Sequence, residues 1–198
     1  MRTFAINKPY GVLSQFTPED GHPGLSDLQL GVPRSVWPVG RLDRDSEGLL
    51  LLTEDKVLKQ RLTNPSRNHN KTYWVQVEGV PSDSCIEPMR HPMQLRIRKK
   101  NVVTKPSRVT IIPEPQLPPR TPPIRRRLTI STTWLKIDLT EGKNRQIRKM
   151  TAAIGFPALR IVRIGIGSLT LDELGLRPGT CLELESNHIR KLQTISNV

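Results

Sequence analysis

The chain has 198 residues, enough for one domain with a substantial core and too few for a second large one. Its 31 Lys and Arg against 18 Asp and Glu leave a formal charge of +13, which attracts polyanions and puts nucleic acid first among partner classes, while an aromatic content of 4% speaks against a surface built from stacking platforms. Two distant cysteines, Cys85 and Cys181, argue against a disulfide framework and a zinc site, and no apolar stretch is long enough for a signal peptide or a membrane span. The expectation is a cytoplasmic protein with no metal and no membrane partner.

Residues 3–7 read as a strand stopped by Pro9 and Gly11, and the Gly/Pro/Asp-rich run from Thr17 to Pro33 as a surface connection. Ser35 to Val39 is a short strand, Gly40 to Gly48 a charged loop, and Leu49 to Thr53 a strand buried on both faces, because its leucines are continuous. A helix is predicted from Thr53 to Leu62, with Leu58 and Leu62 on one face, and Lys71 to Val77 alternates as a half-buried strand through Tyr73, Val75 and Val77. Further strands are expected at 107–112, 133–139 and 159–166. Between the first two of these, residues 113–123 hold six of the 18 prolines and lead into Arg125, Arg126 and Arg127. That composition predicts extended chain, either a connector with a solvated basic end or a strap along RNA phosphates. A last helix is predicted from about Asn144 to Ile154, capped by Asn144 and stopped by Gly155.

Three segments carry chemistry. In Gly40-Arg41-Leu42-Asp43-Arg44-Asp45-Ser46-Glu47-Gly48 a carboxylate lies between arginines just before a buried strand. A rigid element would hold it, its neighbours would keep it ionised, and an ionised Asp is a nucleophile that needs no base. A plain polar turn with Asp43 and Asp45 exposed would use the same residues. On the helix near 144–154, Ile147, Met150 and Ile154 share one face while Arg145, Arg148 and Lys149 gather on the other, near a helix start that favours anions; a solvated basic side is the bland alternative. In the strand from Lys71, Tyr73 faces inward with Val75 and Val77, either as a core aromatic or as a ring that stacks on a base at a cleft edge.

In chain order, Lys8-Pro9-Tyr10-Gly11, the Gly-Arg-Leu-Asp loop running to Thr53, Lys71 to Gly79, and Glu141 to Arg163 resemble four motifs of the bacterial ribosomal RNA pseudouridine synthases. The branch they resemble holds synthase A for small-ribosomal RNA together with synthases B, E and F for large-ribosomal RNA. The resemblance implies an α+β pseudouridine synthase fold: a mixed, mostly antiparallel sheet in two lobes, flanking helices and a central RNA-binding cleft. It implies a single catalytic domain over 1–198 without an N-terminal S4 domain, and a reaction with no cofactor. Asp-Ser-Glu in the loop and the residues Thr121 to Arg125 look like the synthase E subgroup, which implies 23S ribosomal RNA as the partner. A monomer with no obligate protein partner is the default expectation. One departure is the cluster Arg96, Arg98, Lys99 and Lys100, where the family tends to have a neutral turn.

By this resemblance Asp43 is the catalytic aspartate, attacking either the ribose carbon at the glycosidic bond or the uracil ring. Tyr73 stacks on the base and is the candidate to remove the last proton, Arg148 pairs with the catalytic aspartate, and Arg41 takes part in flipping the uridine out of its stack. Lys8, Lys71, Asn144, Arg145, Lys149, Arg160 and Arg163 are further candidates for RNA contact. Two other readings compete: a ribosome assembly factor that binds rRNA on the same fold without the reaction, and an N-glycoside hydrolase, which wants a second placed carboxylate and would release free uracil.

Overall fold

The apolar runs become the inner strands of a sheet. The computed structural model describes residues 1–124 and 129–193. Along them lie β1 (Thr3–Lys8), β2 (Trp37–Pro38), β3 (Glu47–Thr53), α1 (Lys56–Thr63), β4 (Lys71–Glu78), α2 (Asp83–Ile86), β5 (Gln94–Ile97), β6 (Lys100–Val103), β7 (Arg108–Ile112), β8 (Thr132–Leu139), α3 (Gln146–Ala153), β9 (Ala158–Ile166), β10 (Leu169–Thr170), β11 (Cys181–Glu183) and α4 (Ser186–Gln193). Among the described residues nine strands form one sheet with the central order β11-β1-β3-β9-β4-β8-β7, β2 beside β3 and β10 beside β9, while β5 and β6 make a separate hairpin. No helix among the described residues is long and apolar enough to cross a membrane.

The pairings in this sheet are antiparallel except β3 with β9, which run parallel over only Glu47↔Val162 and Gly48↔Arg163. The expected α+β class and mixed, mostly antiparallel sheet are therefore what the chain forms. The short seam divides it into two halves, β11-β1-β3 and β9-β4-β8-β7. At the seam Gly48 has φ +105°, and a Cβ there would lie 2.3 Å from the Arg163 carbonyl oxygen, so only glycine allows the two backbones to approach.

Strand geometry sends alternate side chains to opposite faces. Leu50 and Leu52 accordingly join one core cluster with Ile6, Tyr73, Val75 and Ile137, and Leu49 and Leu51 join another with Leu58, Leu62 and Leu169. All four leucines are fully buried, each contributing about 1.5–3 kcal/mol of hydrophobic stabilisation. The predicted alternation of β4 also holds, with Tyr73, Val75 and Val77 buried.

Helix starts differ from expectation. Thr53 stays in β3, its hydroxyl 2.7 Å from that of Thr3, so α1 begins after Asp55, whose carboxylate accepts from Val57 N and Leu58 N at 2.8 and 3.0 Å. Asp55→Ala should therefore lower stability by about 1 kcal/mol, measured as a lower urea midpoint with unchanged slope. α3 is not capped by Asn144, which is exposed; Arg145 occupies the cap position with φ +51° and makes no side-chain cap bond. The cause is Gln146, whose Oε1 accepts from Lys143 N at 3.0 Å while its Nε2 donates to Glu141 at 2.7 Å, tying the incoming turn to the helix one residue later. Ile147 and Met150 are buried as predicted, and Gly155 ends the helix with φ +86°. Residues 113–123 form neither strand nor helix and bend at Thr121 and Pro122, and Arg125 to Arg127 lie outside the described residues.

Candidate active site

The charged loop meets β3 at the seam, and the segment after β1 holds it from below. Lys8 is fully buried, and its Nζ donates to Val12 O at 2.7 Å, Pro9 O at 3.0 Å and Arg44 O at 3.4 Å. Gly11 N also donates to Arg44 O, at 2.9 Å, and the Ser14 hydroxyl both accepts from Leu42 N and donates to Leu42 O. Burial pulls the Lys8 pKa down to about 7 against the opposing charges of Glu47 and Asp45. Three carbonyls around one Nζ match the three N–H donors of the charged form. Lys8 is thus a clamp on the loop and not the phosphate contact that its charge suggested.

The two carboxylates of the loop have different surroundings. Asp45 accepts from both terminal nitrogens of Arg145, at 3.1 and 2.9 Å. Arg148 adds its Nε at 3.2 Å, an ion pair without hydrogen-bond alignment, and donates from Nη2 to the Asp45 carbonyl at 2.7 Å. Burial works to raise the Asp45 pKa, but the Arg145 hydrogen bonds and the charges of Arg148 and Arg145 outweigh it and hold the carboxyl below its ordinary value. The expected Arg148–Asp43 pair is therefore replaced by Arg148–Asp45. The reason is the turn closed by Ser46 N on Asp43 O at 3.0 Å, which aims the second carboxylate, not the first, at α3.

Asp43 is left open. Its carboxylate makes no hydrogen bond or ion pair among the described residues, and it lines a cavity of about 80 Å³ with Tyr73, Leu139, Arg145, Arg148 and Ile161. Burial pushes its pKa above the ordinary value, Asp45 adds to that, and Arg145, Arg148 and Lys8 oppose it. The loop, β4 and α3 thus bring Asp43, Tyr73 and Arg148 to one cavity, with Tyr73, 8% exposed as a residue, in its wall.

The remaining candidates divide by burial. Arg41 is exposed at the cavity mouth, its Nη2 on Gln15 Oε1 at 2.9 Å; Arg145 is half-exposed; Asn144 is exposed; Lys149 donates to Arg96 O at 2.8 Å and so joins α3 to the β5–β6 hairpin. Lys71 is partly buried with Nζ on His69 O at 3.1 Å, and burial together with Arg163 lowers its pKa to about 8. Arg160 and Arg163 are 7% and 3% exposed, which withdraws them from the surface on which phosphate contacts were expected. Arg160 is bound to both oxygens of Glu47, whereas Arg163 donates Nε to Leu49 O at 2.7 Å and keeps its Nη2 buried without a partner. Both expectations of RNA contact are corrected accordingly. Among the described residues no three His, Cys, Asp or Glu side chains gather as a metal site.

Two functional contacts left little signal in the sequence. Asp45 is visible there only as a second carboxylate in the loop, and Ser14 not at all, since its hold on Leu42 spans 28 residues.

Residues 2–153 match the family described as RNA pseudouridylate synthase. Over 180 residues the chain is 50% identical to the Ribosomal large subunit pseudouridine synthase E of Vibrio vulnificus, covering 90% of this chain and 73% of that protein. The protein of the same name from Xanthomonas axonopodis pv. citri is 48% identical over 170 residues, 85% of this chain and 87% of its own length. A crystal structure described as a pseudouridylate synthase superposes with a TM-score of 0.77 at 26% identity, covering 96% of this chain and 73% of that one.

Proposed function

The chain belongs to the family of RNA pseudouridylate synthases, and we propose that it isomerises a uridine of 23S ribosomal RNA to pseudouridine with Asp43 as the covalent catalyst. Uridine isomerisation in ribosomal RNA follows from the family and the named relatives; the 23S target, the nucleophile and the other site roles are the proposal. The observation that carries it is the division of labour in the loop. Asp45 takes both arginines, and Asp43 remains unbonded at the cavity beside Tyr73.

In the reaction the N1–C1′ bond of the nucleoside breaks and a C5–C1′ bond replaces it. The proton at C5 leaves and N1 gains one, so the RNA keeps its mass. Ionised Asp43 attacks the nucleoside, at the ribose carbon or the uracil ring, and holds it while the base turns; that bond to the carboxylate breaks again once C5 has joined C1′, which frees the product and regenerates Asp43. Tyr73, Leu139 and Ile161 form buried walls that keep the detached uracil in place and exclude water. Arg145 and Arg148, fixed by Asp45, supply the positive field that keeps Asp43 charged in spite of its burial. Arg41 at the mouth is positioned to meet the RNA as the target leaves its stack, a step costing a few kcal/mol. Arg145, Lys149 and the basic hairpin beyond it form the exposed side of the site, the surface we assign to phosphate contacts. A single sheet that takes in nine of the eleven described strands, from β1 to β11, supports one catalytic domain.

Because the Asp43 pKa is raised, the acid limb of turnover should lie above the ordinary carboxylate range. Arg145 is its largest opposing influence, so Arg145→Gln should move that limb further toward neutral pH; a pH–rate profile with an unmoved limb would mean that another group titrates. The function itself is tested by carbodiimide mapping of pseudouridine on 23S and 16S rRNA after incubation with the protein. One new primer-extension stop in 23S rRNA is expected. A stop only in 16S rRNA would overturn the target, and no stop with RNA binding intact would turn the reading toward an assembly factor.

A further inference from the structure

The proline-rich run 113–123 crosses the back of the sheet, away from the cavity. It passes over a hollow of about 760 Å³ lined from both halves by Asn7, Glu47, Trp74, Arg160 and Val162. Two attachments then follow. In the first, Pro118 O accepts from Arg160 Nη2 at 2.9 Å, and the same guanidinium donates to both oxygens of Glu47, at 2.9 and 2.7 Å, with each side chain of the pair 8% exposed. In the second, the Arg120 guanidinium lies 4.1 Å over the Tyr10 ring and donates to Pro122 O at 2.8 Å and Pro123 O at 3.2 Å, folding the run onto itself as it stacks.

These attachments are the two flanks of the Asp43 loop. Glu47 is the residue at which the loop becomes β3, and it forms half of the parallel seam. Tyr10 belongs to the segment whose Lys8 Nζ and Gly11 N hold Arg44 O. Six prolines in the run make it stiff, and a stiff element pinned at two points fixes the distance between them. Asp43 comes from one half of the sheet, and Tyr73 and Arg148 from the other, so the spacing across the seam is also the spacing of the site.

We infer that residues 113–123 are a clasp across the seam, acting through the Arg160–Glu47 pair and the Arg120–Tyr10 stack, with Arg160 and Arg120 as positioning residues for the isomerisation; the catalytic part of this inference rests on the reaction proposed above. Arg120, the one cation within 113–123, is engaged by the Tyr10 ring and the run's own carbonyls and is not held out toward phosphate.

The test uses the full chain with Arg120→Ala, which leaves no buried charge behind, and with the double replacement Glu47→Gln, Arg160→Gln, which removes the buried pair without orphaning one partner. Three quantities are measured: the single-turnover rate at saturating rRNA, rRNA affinity against salt, and amide hydrogen exchange of residues 40–46. The clasp predicts a rate lower by roughly 10–100-fold, the scale of an ångström misplacement, affinity within about twofold and an unchanged salt slope, and faster exchange in 40–46. An unchanged rate and unchanged exchange in a folded variant would show a mere connector. Weaker binding with a flatter salt slope and an unchanged rate would show a phosphate strap. If the double variant does not fold, Arg120→Ala alone decides. Should the wild type make no pseudouridine, the reaction fails as a reading, while the exchange measurement still decides the clasp.

Discussion

Asp43→Asn is expected to bind 23S rRNA as wild type does and to make no detectable pseudouridine, a loss on the order of 10⁴-fold or more, the scale seen when a covalent nucleophile is removed. The amide is nearly the same size and leaves the arginines where they are, because Asp45 and not Asp43 holds them. The basic surface and the salt slope of binding should therefore be unchanged. The variant should also melt no lower at pH 7. Burial gives Asp43 a higher pKa folded than unfolded, so the folded state binds the proton more tightly and stability falls as pH rises through that window; an amide removes this penalty. Asp45 has the opposite sign. Its lowered pKa contributes stability above the unfolded pKa that is lost as pH falls through the folded one, so Asp45→Asn should melt lower at neutral pH with the difference closing in acid. Calorimetry beside the activity assay separates the two carboxylates, and an active Asp43→Asn would sink the mechanism.

Gly48→Ala is expected to cost on the order of 4 kcal/mol, a large part of the 5–15 kcal/mol that stabilises a typical domain. Two effects add. The residue has φ +105°, and its Cβ would meet Arg163 backbone oxygen, nitrogen and carbon at 2.3, 2.7 and 2.9 Å, none of which can swing aside as a side-chain tip could. Gly155 provides the control: its φ is +86°, but nothing lies within 4 Å of a Cβ there, so Gly155→Ala should cost only about 1–2 kcal/mol of backbone strain. Urea unfolding of both variants checks this, and equal losses would mean that the approach of β3 to β9 is not what Gly48 serves.

Much of this molecule is legible in its sequence where periodicity carries the information. The unbroken Leu49–Leu52 run predicts a strand buried on both faces, and the Tyr73–Val75–Val77 alternation predicts which face of β4 is inward, because burial in a sheet is written at a period of two. The gathering of Asp43, Tyr73 and Arg148 at one cavity is anticipated only through resemblance. What stays hidden is the partner of each charge. Nothing local distinguishes Arg145, half-exposed beside the cavity, from Arg160, whose partner Glu47 is 113 residues away. Lys8 looks like a surface cation until the carbonyls that enclose it are in place. The start of α3 is hidden for a similar reason, since Asn144 is a good cap by type but the Glu141–Gln146 bridge sets the turn.

The brevity of the parallel seam also orders the birth of the protein. Two residue pairs joining positions so far apart in sequence give little return for closing so large a loop, so they form productively only after antiparallel pairing has built the edges on either side. The cavity beside Asp43 draws its walls from both sides and is therefore expected among the last parts to form as the chain matures. A molecule stalled before that closure already displays the positive charge that captures ribosomal RNA, yet has no place to hold a turning base. Nascent or partly unfolded copies are thus expected to occupy the same transcript without modifying it, so that the active fraction should follow seam closure and not RNA capture.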